Sequence, residues 1–395
     1  MLSQDYNNKT IYIIDGYGFI FRAFYAVPNF KTTEGIPIGA VYGFFKMLIS
    51  LINLAKPEYM VVALDTGRRT FRNDVYDNFL EKKALIDIFS NNEYEKKLNE
   101  VGLDLDKIDV LTVDELSNKL SIKDDEIFAV CEKYNLDLSY KSKILVILIF
   151  LNLIDDLRIE NCKTQYKSNR KQTPDELKCQ FKIIRELIDA MGIKTESKIG
   201  FEADDIICSI SKEATRNGFK SIIVSADKDL CQLIDDRVSV YDPVKKHFLN
   251  EDAVIERFGV RADQVRDYLS IVGDHCDNVF GVNGIGPKGA VKLLQKYGHV
   301  ENILLHIEEL EEKIKQKIIE SKDILELAYK LIDLRDDAVE IDNFEKFKLN
   351  IDSDGLNNFL KKYNFRLFDA TQKSAKNSKK EEREKNLNFE QKSLF

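Results

Sequence analysis

Three short apolar runs in this chain end the same way. TIYIID (10–15), EYMVVALD (58–65) and KSIIVSAD (220–227) are rich in β-branched and aromatic residues, and each closes on aspartate. Runs this continuous, with no polar face, suit strands covered on both sides, which is the requirement of a parallel sheet. Helical patterns lie between them, over Ala40–Leu54 and Pro174–Met191, the latter with Thr173 as its N-cap. The alternation predicts an α/β fold with a mostly parallel central sheet and helices on both faces. Such sheets place their chemistry at the carboxyl ends of the strands, where Asp15, Asp65, Asp227 and Asp229 fall.

One aspartate after a strand is ordinarily a turn residue or a helix cap. Here a fourth segment argues otherwise. GFEADDIICSI (200–210) sets Glu202, Asp204 and Asp205 directly before an apolar helical pattern in which Ile206, Ile207 and Ile210 share a face. Carboxylates this close repel and raise one another's pKa unless a cation neutralises them. A set of acids without nearby histidine suits hard divalent ions with oxygen ligands.

Further along, residues 264–298 read as helix, turn-rich loop, helix. Gly281, Gly284 and Gly286 precede Pro287, a favourable first helical residue, and Lys288 follows it. A glycine-rich turn feeding a helix N-terminus binds anions, and phosphate fits. No strand precedes it, so a dinucleotide site is a poor reading. Asp274 and Asp277 stand just before this loop, and 301–335 continues as amphipathic helices.

The motifs IIDGYGFIFRAFYA, VVALDT, TFRNDVY, YKSNRKQTPDEL, GFEADDI, SADKDLCQL and GDHCDNVFGVNGIGPKGA occur here in one order. Together they resemble the 5′→3′ exonuclease/flap endonuclease family, most closely the nuclease domain that opens bacterial DNA polymerase I. The resemblance covers about residues 10–78 and 165–365. It implies a PIN/flap-nuclease-like sheet followed by a helix–hairpin–helix (helix–three-turn–helix) subdomain. It also implies two Mg²⁺ or Mn²⁺ ions held by Asp15, Asp65, Glu202, Asp204, Asp205, Asp227, Asp229, Asp274 and Asp277. For Asp205 and Asp277 an outer-shell or capping role stays open. Lys167 and Arg170, in QYKSNR with Tyr166, would approach the scissile phosphate. Arg22 and Arg72 would contact other phosphates, and Phe21 would stack on a base. The 281–288 loop would hold duplex backbone and a monovalent cation. The activity implied is metal-dependent hydrolysis at 5′ ends, flaps, nicks and RNA–DNA primer junctions in replication and repair. A carboxylate-dependent ribonuclease and a catalytically impaired DNA-junction binder are the competing readings.

On this resemblance the chain divides into an α/β core (1–78 plus 165–243), an insertion (79–164), a helical DNA-binding subdomain (244–370) and a disordered tail (371–395). The insertion enters at the foot of the family's arch and reads as helices around an apolar strip, Ile144–Ile154. It either sits beside the site as a tolerated addition or gates the threading of a single strand. Residues 81–163 hold 18 Asp/Glu against 12 Lys/Arg, so much of the net charge of −8 resides there. The remainder is near neutral, and mildly basic once the nine assigned carboxylates are set aside. The tail ends in QKSLF, whose Gln391, Leu394 and Phe395 resemble the peptide by which bacterial replication proteins dock on the sliding clamp. Scattered cysteines without a C-x-x-C pattern suggest a reducing cytoplasm, and the strip at 144–154 is too short to span a bilayer.

Overall fold

The computed structural model describes residues 9–27, 30–32, 34–77, 79, 102–103, 111–134, 143, 146–147, 166–167, 170, 172–363 and 365. Gln391, Leu394 and Phe395, the tail from 371, and most of the 79–164 segment lie outside the described residues. Two compact units are present. A sheet unit comprises Met1–Gly67, Gln172–Val254 and Leu334–Phe395, and a helical unit comprises Arg68–Lys171 and Ile255–Asp333.

The sheet unit is built on six strands in the order β3-β2-β1-β4-β5-β6: β1 (Thr10–Asp15), β2 (Tyr59–Ala63), β3 (Lys194–Glu196), β4 (Lys220–Val224), β5 (Val238–Asp242) and β6 (His247–Leu249). All pairings are parallel except β5 with β6. The three aspartate-ended runs are therefore neighbours at the centre, with β1 between β2 and β4. Every residue of β2 is buried. Strand alternation splits the core between two faces. Ile14, Met60, Val62 and Val224 pack with helices α1 (Gly16–Ala26), α2 (Gly39–Ala55), Asp175–Ala190 and Ser353–Lys362. Ile11, Ile13, Val61 and Ile223 face the other side, where the Ala203–Arg216 helix lies against β1 and β4. That helix buries Ala203, Ile206, Ile207, Ile210 and Ala214, a stripe at helical spacing, and each buried isoleucine contributes about 1.5–3 kcal/mol.

Several details differ from the sequence expectation. The helix expected at Pro174 begins at Asp175, and Pro174, not Thr173, occupies its N-cap position. β3 and β6 escape the pattern because they have only three residues each, and β3 is a polar edge strand, KTE. The units also divide the chain differently. Residues 334–363 belong with the sheet, because the Tyr59 hydroxyl donates to Glu345 (2.7 Å), the Leu349 amide donates to the Glu58 carbonyl (2.8 Å), and Phe359 and Leu360 complete the core.

The helical unit contains Val265–Val272, a two-stranded hairpin of β7 (Gly273–Asp274) and β8 (Val279–Phe280), then Pro287–Tyr297, Val300–Leu305, Glu312–Glu320 and Lys322–Ile332. From the 79–164 segment it includes Val113–Leu120, capped by Thr112 and Glu115, and Asp124–Tyr134. No helix of the described residues is long and apolar enough to cross a membrane.

Helix α2 starts on Ile38, which has no capping side chain. Its first amides are satisfied from far away: Gln180 Oε1 accepts from Ala40 N (2.8 Å) and Val41 N (3.3 Å). Gln180→Met keeps the volume but strands two buried donors, and the cost expected is roughly 2–4 kcal/mol. A fall in Tm too small for that cost, measured by calorimetry, would show that water replaces the cap.

Candidate metal centre

At the carboxyl edge of the sheet the aspartates are drawn together by named hydrogen bonds. Asp15 ends β1 and caps α1, accepting from Gly18 N (2.9 Å) through Oδ1. Its Oδ2 accepts from the Ser225 hydroxyl (2.7 Å), and that hydroxyl accepts in turn from Asp227 N (3.0 Å). One serine beyond β4 thus joins the ends of two strands. Asp227 Oδ1 accepts from Asp229 N (3.0 Å), turning the chain so that both residues stand half-buried at the same corner. Beyond β2, Asp65 Oδ1 accepts from Ala203 N (2.7 Å), the first amide of the acidic helix. A helix N-terminal amide favours a negative partner, and this contact fixes the start of the acidic helix at the end of β2.

Two glycines make the approach feasible. A Cβ at Gly16 would come within 2.5 Å of Leu64 and 2.8 Å of the Ala63 carbonyl, so α1 leaves β1 directly against β2. A Cβ at Gly18 would fall 2.3 Å from Asp15 Oδ2. Neither requirement concerns φ; both concern space.

The electrostatics show the strain of the assembly. Burial pushes the Asp15 carboxyl up to about 6; the Gly18 and Ser225 bonds oppose this, and the charges of Asp227 and Asp65 add to it. Tyr17, which sequence reasoning passed over, is also raised, by burial first and then by Asp65, with Arg185 opposing. Its ring packs on Phe21 (6.2 Å) and Phe181 (5.3 Å), so Phe21 is half-buried against it. Its place two residues after Asp15 was the available signal. Arg22 lies on the same helix, and its Nη1 is buried with no hydrogen-bond partner among the described residues. A stranded guanidinium donor suits an anionic oxygen, and half-buried carboxylates suit a hard cation, so this donor set fits a divalent ion and its phosphate ligand.

Asp205, for which a capping role stayed open, is fully buried and caps backbone: Oδ2 accepts from Glu202 N (3.0 Å) and Oδ1 from Arg335 N (3.0 Å).

In the helical unit, Asp274 and Asp277 are both buried, and Asp274 Oδ1 accepts from Cys276 N (3.0 Å). The Asp277 carboxylate pairs with Lys167 (3.2 Å) and with Arg170, whose Nε lies 3.0 Å away. Burial alone would raise Asp277, but these two cations hold it below the usual carboxylate range. The residues expected to face a phosphate and a residue expected to face a metal here neutralise each other. Arg72 is not a surface contact: it is 1% exposed and donates to the carbonyls of Leu331 (2.7 Å) and Asp333 (2.5 Å). Tyr166 is likewise buried, against Tyr76.

The glycine loop keeps its expected form. Gly286 is the N-cap of Pro287–Tyr297, and Gly284 has φ +74°. Ser321 accepts from Asn283 N (3.3 Å), and Lys317 donates to the Gly284 carbonyl (2.8 Å). Gly281 is half-buried, whereas Gly286 and Lys288 are exposed. A Cβ at Gly286 would meet nothing within 4 Å, so packing does not demand glycine there.

A family model described as the 5′-3′ exonuclease N-terminal resolvase-like domain matches residues 10–94 and 134–259, and one described as the 5′-3′ exonuclease C-terminal SAM fold matches 260–354. The match passes over 95–133, a shorter interruption than the 79–164 expected. A 5′-3′ exonuclease of Aquifex aeolicus is 31% identical, over 83% of this chain and 83% of its own length. DNA polymerase I of Rhizobium leguminosarum and of Bacillus caldotenax are each 30% identical, and the chain spans 25% and 28% of their lengths. A bacteriophage T5 flap endonuclease, solved as a pseudo-enzyme–product complex with DNA and metal ions, shares the fold at 19% identity and a TM-score of 0.50, over 90% of this chain and 98% of that one.

Asp15→Asn keeps the capping geometry and removes the buried charge. The folded-state pKa is raised from 3.8 to about 6, so the penalty is absent below about pH 4 and complete above about pH 6. Its size is roughly 3 kcal/mol. In EDTA the variant is expected to match the parent's Tm near pH 4 and exceed it above pH 6. Equal Tm values at pH 8 would show that the Asp15 charge is not strained.

Proposed function

The chain belongs to the 5′-3′ exonuclease family, and we propose from that premise that it cleaves phosphodiesters at the 5′ ends, flaps and nicks of duplex DNA. The observation that carries this reading is the Asp15–Ser225–Asp227 link together with the Asp65–Ala203 bond, which unite three strand ends and one helix start at a single edge. Asp15, Asp65, Glu202, Asp204, Asp227 and Asp229 are the residues proposed to hold Mg²⁺ or Mn²⁺. Bound there, a pair of such ions would lower the pKa of a water and stabilise the leaving oxygen.

The chain's own contribution is placement. Gly18 and Ser225 hold the Asp15 carboxylate to one orientation, and the Ala203 amide holds that of Asp65. Arg22 offers a donor to a phosphate oxygen without first having to break another bond. Phe21, on the same helix, supports base stacking only through the part of its ring that Tyr17 leaves uncovered. Lys167 and Arg170 reach a phosphate only after releasing Asp277, so their engagement is conditional on substrate. Gly286 and Lys288 are proposed to seat duplex backbone without reading bases, and Gly286 supplies room there. Substrates extend in this reading to RNA–DNA primer junctions, and the compartment to the bacterial cytosol.

A 5′-labelled DNA flap and a matched RNA strand, each with Mg²⁺ and with EDTA, test the proposal. Asp204→Ala is expected to lose flap cleavage by roughly a thousandfold or more, matching the EDTA control. Preferred cleavage of RNA would favour the ribonuclease reading, and binding without cleavage in the parent would favour a silent junction binder. Gly286→Asp places a negative charge at the proposed backbone contact. It is expected to weaken duplex affinity by about tenfold with Tm unchanged, as one repelled phosphate contact would do. Undiminished affinity in a binding titration would move the duplex contact elsewhere.

A further inference from the structure

The backbone at Glu202 is held from two sides. The amide of Ala203 donates to Asp65, and the amide one residue earlier, Glu202 N, donates to Asp205. Glu202 itself is extended (φ −92°, ψ 163°), between the 197–201 turn and the helix, so no helical hydrogen bond of its own N–H fixes its direction. Asp205 supplies that fixation, and Asp205 is in turn anchored by a distant segment. Its Oδ1 accepts from Arg335 N, 130 residues downstream.

Arg335 belongs to a strap, Leu334–Ala338, where the chain re-enters the sheet unit. The buried Ser209 hydroxyl ties the strap to the acidic helix: it lies 2.8 Å from the Asp205 carbonyl and 3.3 Å from the Arg335 carbonyl, and it accepts from Ala338 N at 2.9 Å. Cys208 Sγ approaches the Leu334 carbonyl at 3.8 Å, and Arg216 donates to Asp336 at 3.0 Å. The Arg335 guanidinium pairs with Asp337 and lies 5.9 Å from the Phe201 ring centroid, covering the turn before Glu202.

We propose that Asp205 is a positioning residue, and that together with Ser209 it transmits the strap's position to Glu202 and so sets the affinity of the carboxylate cluster for divalent ions. The inference rests on the reading of that cluster as the metal centre. Its physical basis is that removing a partner which orients a ligand typically weakens metal binding by about 10–100-fold while leaving the ligands in place. Asp205→Asn can accept at only one oxygen and turns an NH₂ toward the other amide, so one of the two bonds is lost.

The test uses the full chain. Mn²⁺ affinity is measured by calorimetry without DNA, amide exchange of Glu202 and Arg335 in EDTA, and flap cleavage across a Mg²⁺ series, for Asp205→Asn, Ser209→Ala, Arg335→Ala and Asp65→Ala. Asp205→Asn is expected to weaken Mn²⁺ binding by about tenfold, to speed exchange at Glu202 and Arg335 by a similar factor, and to recover parental cleavage at high Mg²⁺. Ser209→Ala follows in the same direction. Arg335→Ala, an exposed change that keeps the backbone donor and folds normally, shifts half-saturation by about two- to threefold. Bound metal ion also favours the folded state, so the exchange data in EDTA separate the two roles: lost positioning speeds exchange at Glu202 and Arg335 alone, whereas loss of fold speeds it across the sheet unit and would overturn the inference. Asp205→Asn dead at every Mg²⁺ concentration, with parental exchange at Glu202, would make Asp205 a ligand and overturn the inference. So would unchanged Mn²⁺ affinity in Asp205→Asn beside lost affinity in Asp65→Ala. Parental affinity and cleavage in Asp65→Ala would instead overturn the metal-centre reading itself.

Discussion

A buried carboxylate beside two others is the constraint on which this sheet edge depends. Asp15 ends the central strand and is surrounded by protein, within reach of the charges of Asp65 and Asp227. Ionised and unpaired, such a group opposes folding. The chain reduces the cost with two short bonds, from Gly18 and from Ser225, and leaves the rest uncompensated. A divalent ion is the natural complement of the remainder. On the proposed function, the binding chemistry and the local instability are one property seen in two ways, in keeping with the general trade between function and stability at such sites.

The surroundings follow from holding that carboxylate. Gly16 and Gly18 have no side chain because Leu64, the Ala63 carbonyl and the Asp15 carboxylate fill the space one would need. Parallel pairing of β1 with β2 and β4 puts three strand ends in a row. The Ala203–Arg216 helix buries one stripe against that sheet, so its amide end meets Asp65. Glu202 and Asp204 stay half-exposed, on the side away from the core. Asp205, one residue further round the helix, turns inward and meets Arg335.

Much of this was legible in the chain. Apolar runs closing on aspartate located β1, β2 and β4, and the E-x-D-D helix start was evident beside them. The same pattern also occurs at β5, VSVYD, where it means something else. Asp242 is buried and accepts from Val244 N (2.7 Å) and Lys245 N (3.2 Å), a turn residue of the β5–β6 hairpin. An aspartate leading into a helical crossover can face the sheet edge, whereas one leading into a tight hairpin is used up by the turn. Gln180 illustrates the opposite failure: a polar residue in a helical pattern reads as surface, yet it is buried because α2 lacks a cap of its own.

What the sequence by itself determined is the supply of groups: which strands carry an acid at their carboxyl ends, where a helix opens on three more, and where glycines free a loop of side chains. Periodicity and residue type are local properties, and local rules suffice to read them. Which of the charged groups stay available was decided only by the tertiary structure. Asp205 is committed to an amide 130 residues away, Asp277 to an arginine 107 residues away, and Arg72 to carbonyls about 260 residues on. A charge removed from water must find a partner, and the partner is set by how distant segments pack, which no local pattern encodes.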